Sequence, residues 1–191
     1  MVQFRLPMLP PTEDVSWDAV VNGNQVSVPI EGNAILLDVL REKAGSLGTK
    51  RGCDMGTCGC CSVLVDGKPK LSCLMLAQEV ENCNITTVEG LSDGHHLHPI
   101  QQTFTEFGGS QCGFCTPGFL VVISALLEEN VNPSDEEIKS AIEGNLCRCT
   151  GYQHIVDSVR AAAEILASDS GTPNPTDAMS DPHPSFDSGS G

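Results

Sequence analysis

Two β-branched, apolar-rich stretches, residues 15–21 and 26–30, flank the dipeptide Asn22-Gly23. Both turn residues accept the positive φ that a two-residue hairpin demands, so the segment predicts a pair of antiparallel strands. Ser62–Val65, Asp66-Gly67 and Lys68–Leu71 repeat the arrangement and predict a second hairpin. A further short strand is expected at 85–88. Between the hairpins, Leu36, Leu37, Val39 and Leu40 mark a helix, with Asn33 placed to cap it and Gly45 to end it. Residues 53–61 hold Gly56 and Gly59, follow Gly52, and are expected to be loop. Two hairpins, one helix and a last strand make a small mixed sheet with a helix across it.

After about Ser92 the apolar period becomes 3.6. Residues 99–107 predict one helix and 116–130 a second, with Phe119, Val122, Ile123, Leu126 and Leu127 at helical spacing. Leu120, Val121 and Ala125 make that second helix apolar on most sides, as a buried helix is. Ser134-Asp-Glu-Glu137 is a capping box opening a third helix that turns Ile138, Ala141 and Ile142 inward. A fourth, 154–167, carries Ile155, Val159, Ala162 and Leu166. Four helices with short connections predict a compact bundle. The chain is therefore expected to be α+β: an extended, proline-containing arm (1–13), a sheet unit (14–92), a helical unit (93–168) and an acidic tail (169–191). The tail offers Met179 and Phe186 but little else to a core, and is expected to be disordered.

Composition narrows the partners. Lys+Arg 10 against Asp+Glu 25 gives 191 residues a net charge of −15, which argues against nucleic acid or an anionic membrane surface. No apolar run approaches the roughly 18 residues of a membrane span, and the first residues lack a secretory pattern. A soluble, cytoplasmic chain is expected. Its ten cysteines are then thiols rather than disulfides, because cytosolic thiols stay reduced.

Eight of them form two constellations. Cys53, Cys58 and Cys61 stand at x4 and x2 intervals, with Cys73 twelve residues further on. These intervals match the plant-type ligand run of a 2Fe–2S cluster. Thiolates so close in sequence converge only if the loop curls tightly, and glycine supplies that curl while letting backbone N–H groups approach the cluster. Zinc usually takes two short knuckles far apart in the chain, not three ligands from one loop. Cys60 and Cys83 fall outside the pattern and read as small buried hydrophobes. The second constellation is Cys112-x2-Cys115 with Cys147-x-Cys149. Thr116 follows Cys115 at the expected cap, with Pro117 next, and Thr150 follows Cys149 in the same order. Each pair thus precedes a helix, where the positive end suits an anionic centre. By ligand type alone this set fits either zinc or 2Fe–2S; its company with the first favours iron–sulfur.

The runs Gly52-Cys-Asp-Met-Gly-Thr-Cys-Gly-Cys-Cys-Ser-Val-Leu-Val-Asp-Gly67, Gln111-Cys-Gly-Phe-Cys-Thr-Pro-Gly118 and Gly144-Asn-Leu-Cys-Arg-Cys-Thr-Gly-Tyr152 resemble the small iron–sulfur subunit of molybdenum hydroxylases. That is the xanthine dehydrogenase, aldehyde oxidoreductase and carbon monoxide dehydrogenase group. The resemblance spans about residues 15–167; Cys60, where the family commonly has Ala, the N-terminal arm and the acidic tail depart from it. It implies a β-grasp plant-type ferredoxin domain followed by a four-helix 2Fe–2S domain. It also implies two partner chains, a medium subunit with FAD and a large subunit with molybdopterin cytosine dinucleotide, assembled as a dimer of heterotrimers. Electrons from the large subunit would reach the Cys112/Cys115/Cys147/Cys149 cluster, then the Cys53/Cys58/Cys61/Cys73 cluster, then FAD. Gln111 and Cys149 would lie beside the pterin, the amide offering donor and acceptor and the sulfur accepting from an amino group. A helix-end hydrogen bond is the structural alternative for Gln111.

His95, His96 and His98 read as a solvated linker rather than a metal site. His154 is expected to cap or line the bundle, Arg148 to offset cluster charge or pair across an interface, and Lys50-Arg51 to meet an acidic flavin subunit or water. Substrate choice resides on another chain, which leaves carbon monoxide, aldehydes, N-heteroaromatics and hydroxybenzoyl-CoA, and either net direction, open. The alternatives to a relay subunit are a free-standing ferredoxin-like carrier and a structural zinc module.

Overall fold

The structure, a computed structural model, describes residues 14–169. The arm expected at 1–13 and the tail beyond 169 lie outside the described residues. β1 (Asp14–Val21) and β2 (Asn24–Glu31) pair antiparallel, with Asp14 opposite Glu31 and Val21 opposite Asn24. The turn has φ of 50° at Asn22 and 78° at Gly23, the left-handed pair that matches the twist of the flanking strands. β3 (Ser62–Val65) and β4 (Lys68–Leu71) form the second hairpin over Asp66 and Gly67, at φ of 48° and 77°. β5 (Asn84–Thr86) enters the middle, parallel to β1 and antiparallel to β3, giving the order β2-β1-β5-β3-β4. It is shorter than expected and displaced. Val88 opens a 3-10 turn, because the Asn22 side chain donates to Thr87 Oγ1 (2.9 Å) and accepts the Thr87 N–H (2.8 Å), drawing the chain off the ladder.

Trp17, Ala19 and Val21 alternate inward along β1 and meet Ile30, Leu36, Leu40, Val63, Val65 and Ile85. Trp17 is fully buried and its indole N–H donates to the Ala77 carbonyl at 2.7 Å, so its one polar group is satisfied. Across the sheet lies α1 (Leu36–Asp38), a single turn continued by Val39–Lys43 in a wider helix whose Ala44 N–H bonds the Val39 carbonyl. Asn33 does not cap it. The helix starts after Ile35 with no side-chain cap, and the Leu36 N–H is met by the Met75 carbonyl instead (2.9 Å), so a neighbouring segment does what a cap would do.

The helical half consists of α2 (Pro99–Glu106), α3 (Thr116–Glu129), α4 (Asp135–Ile142) and α5 (Gln153–Asp169). α2 packs on α5, and α4 on both α3 and α5. The helices expected as a compact bundle also meet the sheet, because α3 packs on β3 as well. β3 is buried at all four positions, and since Val63 and Val65 serve the sheet core, its other face needs a cover that α3 provides. Phe119, Ile123 and Leu127 are the largest fully buried side chains of α3, whereas Val122 and Leu126 are only half-buried. Each fully buried side chain of this size contributes about 1.5–3 kcal/mol. The capping box forms on α4: Ser134 Oγ accepts the Glu137 N–H (3.3 Å) and the Glu137 carboxylate accepts the Ser134 N–H (2.7 Å). At α3 the helix starts at Thr116 itself, so the cap position falls on Cys115, which makes no side-chain cap bond; the Thr116 hydroxyl donates to Ser110 Oγ (3.0 Å).

Candidate metal centres

The first cysteine set hangs on the loop between α1 and β3. Gly56 and Gly59 take φ of 72° and 70°, a conformation that L side chains resist, and this curls Cys53, Cys58 and Cys61 inward. Cys73 arrives through the β3–β4 hairpin, whose register sets Ser62 opposite Leu71. One residue beyond that pair, Ser72 donates its N–H (3.2 Å) and hydroxyl (2.7 Å) to the Cys61 carbonyl, so Cys73 faces Cys61. Arg51 braces the loop from outside, its guanidinium bonded to Asp54 (2.6 Å) and to Asp38 of α1. The Lys50 ammonium donates to the nearby Leu47 carbonyl at 2.7 Å, on the surface. Both members of this basic pair make their bonds at the surface, where a partner or water can still reach them.

The second set gathers at two helix approaches. Cys112 and Cys115 lead into α3, and Cys147 and Cys149 occupy the connection from α4 to α5. Tyr152, at φ 69°, holds that connection in shape: its hydroxyl donates to the Asn145 carbonyl (3.0 Å) and accepts the Cys147 N–H (3.1 Å). Its ring meets Phe119 edge-on at 6.1 Å, anchoring the connection to the helical core. Sequence reasoning missed this brace; the signal available was a single tyrosine directly after Thr150-Gly151.

Within each set the sulfurs stand as two pairs. Cys53 contacts Cys58 and Cys61 contacts Cys73; Cys115 contacts Cys147 and Cys112 contacts Cys149. Among the described residues no three or more His, Cys, Asp or Glu side chains converge on one ion position. Two pairs of cysteine sulfurs in one set would supply the four sulfur ligands that a 2Fe–2S cluster takes. Eight thiols present as two such sets fit two 2Fe–2S clusters.

The electrostatics differ from sulfur to sulfur. Hydrogen bonds, first from the Met55 N–H and then from Thr57, hold Cys53 down at about 6. Burial pushes Cys73 and Cys115 up to about 12. Burial also opposes ionisation of Cys147, but the Thr150 hydroxyl, 3.2 Å from its sulfur, and nearby backbone N–H groups outweigh it and lower the thiol. Hydrogen bonds thus favour the thiolate at Cys53 and Cys147, and burial favours the thiol at Cys73 and Cys115.

The two loops are locked together. The Leu146 N–H donates to the Cys58 carbonyl at 2.9 Å, and the buried Asn145 amide donates to the Gly59 carbonyl at 3.2 Å. That carbonyl also accepts from Ser62, from its N–H at 3.1 Å and its hydroxyl at 2.8 Å. A Cβ on Gly59 would stand 2.6 Å from the Gly144 carbonyl oxygen, and one on Gly118 2.3 Å from the Gly59 carbonyl oxygen, so both positions need a bare backbone. Asn145 and Gly118 went unnoticed in sequence because their partners are far away along the chain.

Of the other residues, Gln111, Cys112 and Cys149 are exposed, with Phe114 and Leu146 exposed near them. Cys60 is buried, as expected; Cys83 is half-buried against the sheet core. The histidine stretch is shaped by Asp93, whose carboxylate accepts the N–H groups of His95 (2.8 Å) and His96 (2.6 Å), while His98 caps α2 by accepting the Ile100 N–H (3.2 Å). His154 lies exposed on α5 rather than capping it, and Arg148 is exposed. A groove of about 670 Å³ between β4 and the α3–α4 pair, lined by Lys68, Leu71, Val122 and Leu126, contains none of the eight cysteines.

The fold and its paired sulfurs define a chain built from two 2Fe–2S-binding units. Comparison agrees: residues 19–104 match a 2Fe-2S iron-sulfur cluster binding domain and residues 87–160 a second 2Fe-2S binding domain. The nicotinate dehydrogenase small FeS subunit of Eubacterium barkeri is 46% identical over 147 residues, 77% of this chain and 94% of that one. The nicotine 6-hydroxylase small subunit of Paenarthrobacter nicotinovorans is 44% identical over 161 residues, 84% of this chain and 97% of that one. Among solved structures, quinoline 2-oxidoreductase from Pseudomonas putida 86 superposes with a TM-score of 0.78 at 43% identity, over 85% of this chain and 100% of the matched chain. The chain belongs to the family of small iron–sulfur subunits of molybdenum hydroxylases, and is an oxidoreductase subunit. No helix among the described residues is long and apolar enough to cross a membrane.

Proposed function

We propose that this chain is the electron-relay subunit of a three-component molybdenum hydroxylase, standing between a large subunit with molybdopterin cytosine dinucleotide and a medium subunit with FAD. The observation that carries the proposal is the doubled set of paired sulfurs, two loops bound to each other through Cys58–Leu146 and Gly59–Asn145. Cys53, Cys58, Cys61 and Cys73 would hold one 2Fe–2S cluster, on a β-grasp ferredoxin-type unit over 14–92. Cys112, Cys115, Cys147 and Cys149 would hold the other, on a four-helix unit over 93–168. When bound, the two clusters supply one-electron carriers between the partner chains' cofactors.

The chain's own residues do the rest. Arg51 and Ser72 fix the first loop, Tyr152 and Thr150 the second, so the sulfurs are held in place before metal arrives. The Gln111 amide, exposed next to Cys112, would meet the pterin edge with donor and acceptor together, and the exposed Cys149 sulfur would accept from its amino group. A free carrier has no use for a second centre pinned to the first. The exposed Phe114 and Leu146 beside that second centre favour fixed partners.

The test is purification of the complex under anaerobic conditions, with iron and sulfide assays and EPR after reduction. Two distinct 2Fe–2S signals in a complex that also contains flavin and molybdopterin are expected. A colourless chain with bound zinc, or a stable monomer trading electrons with unrelated enzymes, would overturn the proposal.

A further inference from the structure

Cys60 is the loop cysteine that the pairing leaves over, and it is only 4% exposed. It and Cys61 point to opposite sides: Cys61 packs with Leu37 and Cys73, while Cys60 joins the helical core beside Cys58 and Cys115. Its sulfur shares a small space with that of Cys58. A Cβ built on Gly52 would stand 2.8 Å from Cys58 Sγ and 3.1 Å from Cys60 Sγ. The thiol contacts the Cys58 side chain, and the Cys58 carbonyl lies 3.8 Å from its sulfur, a long contact. The backbone of Cys60 is fixed on both sides: its carbonyl accepts the Lys50 N–H at 3.2 Å, and its Cα lies 3.1 Å from where a Gly118 Cβ would be. The thiol therefore stays inside, between a sulfur of the first set and the second.

A cysteine side chain carries an S–H that is a weak donor. A donor aimed at a cluster's thiolate offsets the charge of the added electron, and so stabilises the reduced form. We infer that Cys60 is a positioning residue acting through Cys58: its S–H donates to the Cys58 thiolate and raises the reduction potential of the ferredoxin-type centre. The inference rests on the proposal that Cys53, Cys58, Cys61 and Cys73 hold that centre. A residue that only filled space would leave the potential where it is.

The experiment compares the assembled complex with its Cys60→Ala and Cys60→Ser variants by potentiometric titration, following both centres by EPR. In Cys60→Ala the potential of the first centre falls, shifting the electron distribution between the centres about tenfold toward the second, or about 59 mV for one electron. In Cys60→Ser, where a hydroxyl still donates, it stays at or above the original value. An unmoved potential in Cys60→Ala, with both signals intact, overturns the inference. So does a fall in Cys60→Ser, which decides the matter if the alanine variant does not assemble. Absence of both 2Fe–2S signals from the unmodified complex would instead overturn the proposed function, so the two failures are distinguishable.

Discussion

Each sulfur has its own task. Cys73→Ser should remove about half the iron and one EPR signal, and Cys149→Ser the other half and the other signal, because each belongs to a different pair of pairs. Loss of both signals from either variant would mean one shared centre. The thiols also set a pH dependence. The ligand is the thiolate, and burial holds Cys73 and Cys115 protonated, up to about 12, while Cys53 at about 6 is already ionised at neutral pH. Cluster assembly must therefore expel protons, and raising the pH makes that cheaper. Reconstitution of the metal-free chain with ferrous iron and sulfide should speed up steadily above neutral pH and release protons into an unbuffered medium. Absorbance growth and a pH-stat measure the two effects; a flat rate would contradict the assignment.

At the scale of elements, the contact between the two loops decides the geometry of both. Gly118→Ala drives a Cβ to 2.3 Å from a backbone oxygen, which cannot move aside without shifting Gly59 and its loop. A cost of about 1–3 kcal/mol is expected, seen as a fall in melting temperature of roughly 2–4 °C per kcal/mol. Gly67→Ala is the control: its φ of 77° is strained for alanine but nothing stands within 4 Å of the new atom, so its effect should be the smaller. This contrast also shows what could be read from the chain and what could not. Asn22-Gly23, Asp66-Gly67 and the Ser134–Glu137 box are local rules, written within four residues, and the structure obeys them. The cysteine intervals are equally local, and they brought the eight sulfurs into two places. What escaped was non-local: β5 slipping between β1 and β3, α3 covering β3, and Asn145 reaching back to Gly59 across 86 positions. Caps failed for the same reason. At α1 a carbonyl from Met75 replaced the Asn33 side chain, and at α3 the cysteine loop entered the helix one residue early.

For the whole molecule, four of the nine exposed large apolar residues among those described flank the two centres. Met55 is 73% and Leu74 61% exposed beside the first set, and Leu146 is 55% and Phe114 47% exposed beside the second. Large apolar side chains left in water next to redox sulfurs are what an interface looks like before its partner is added. If the two centres face two different chains, an added charge should separate them. Leu146→Asp is expected to cost the complex its large subunit while the flavin subunit still copurifies, and Met55→Asp to do the reverse, each by weakening an interface by more than about 1 kcal/mol. Flavin and molybdopterin content of the purified material, with subunit ratios on a gel, reads the outcome. The whole-chain charge of −15 does not blur the test, since one further carboxylate changes it little while placing a charge where burial on assembly would strand it. Should either variant release both partners, the two surfaces serve one interface, and a relay with a different chain at each end would have to be abandoned.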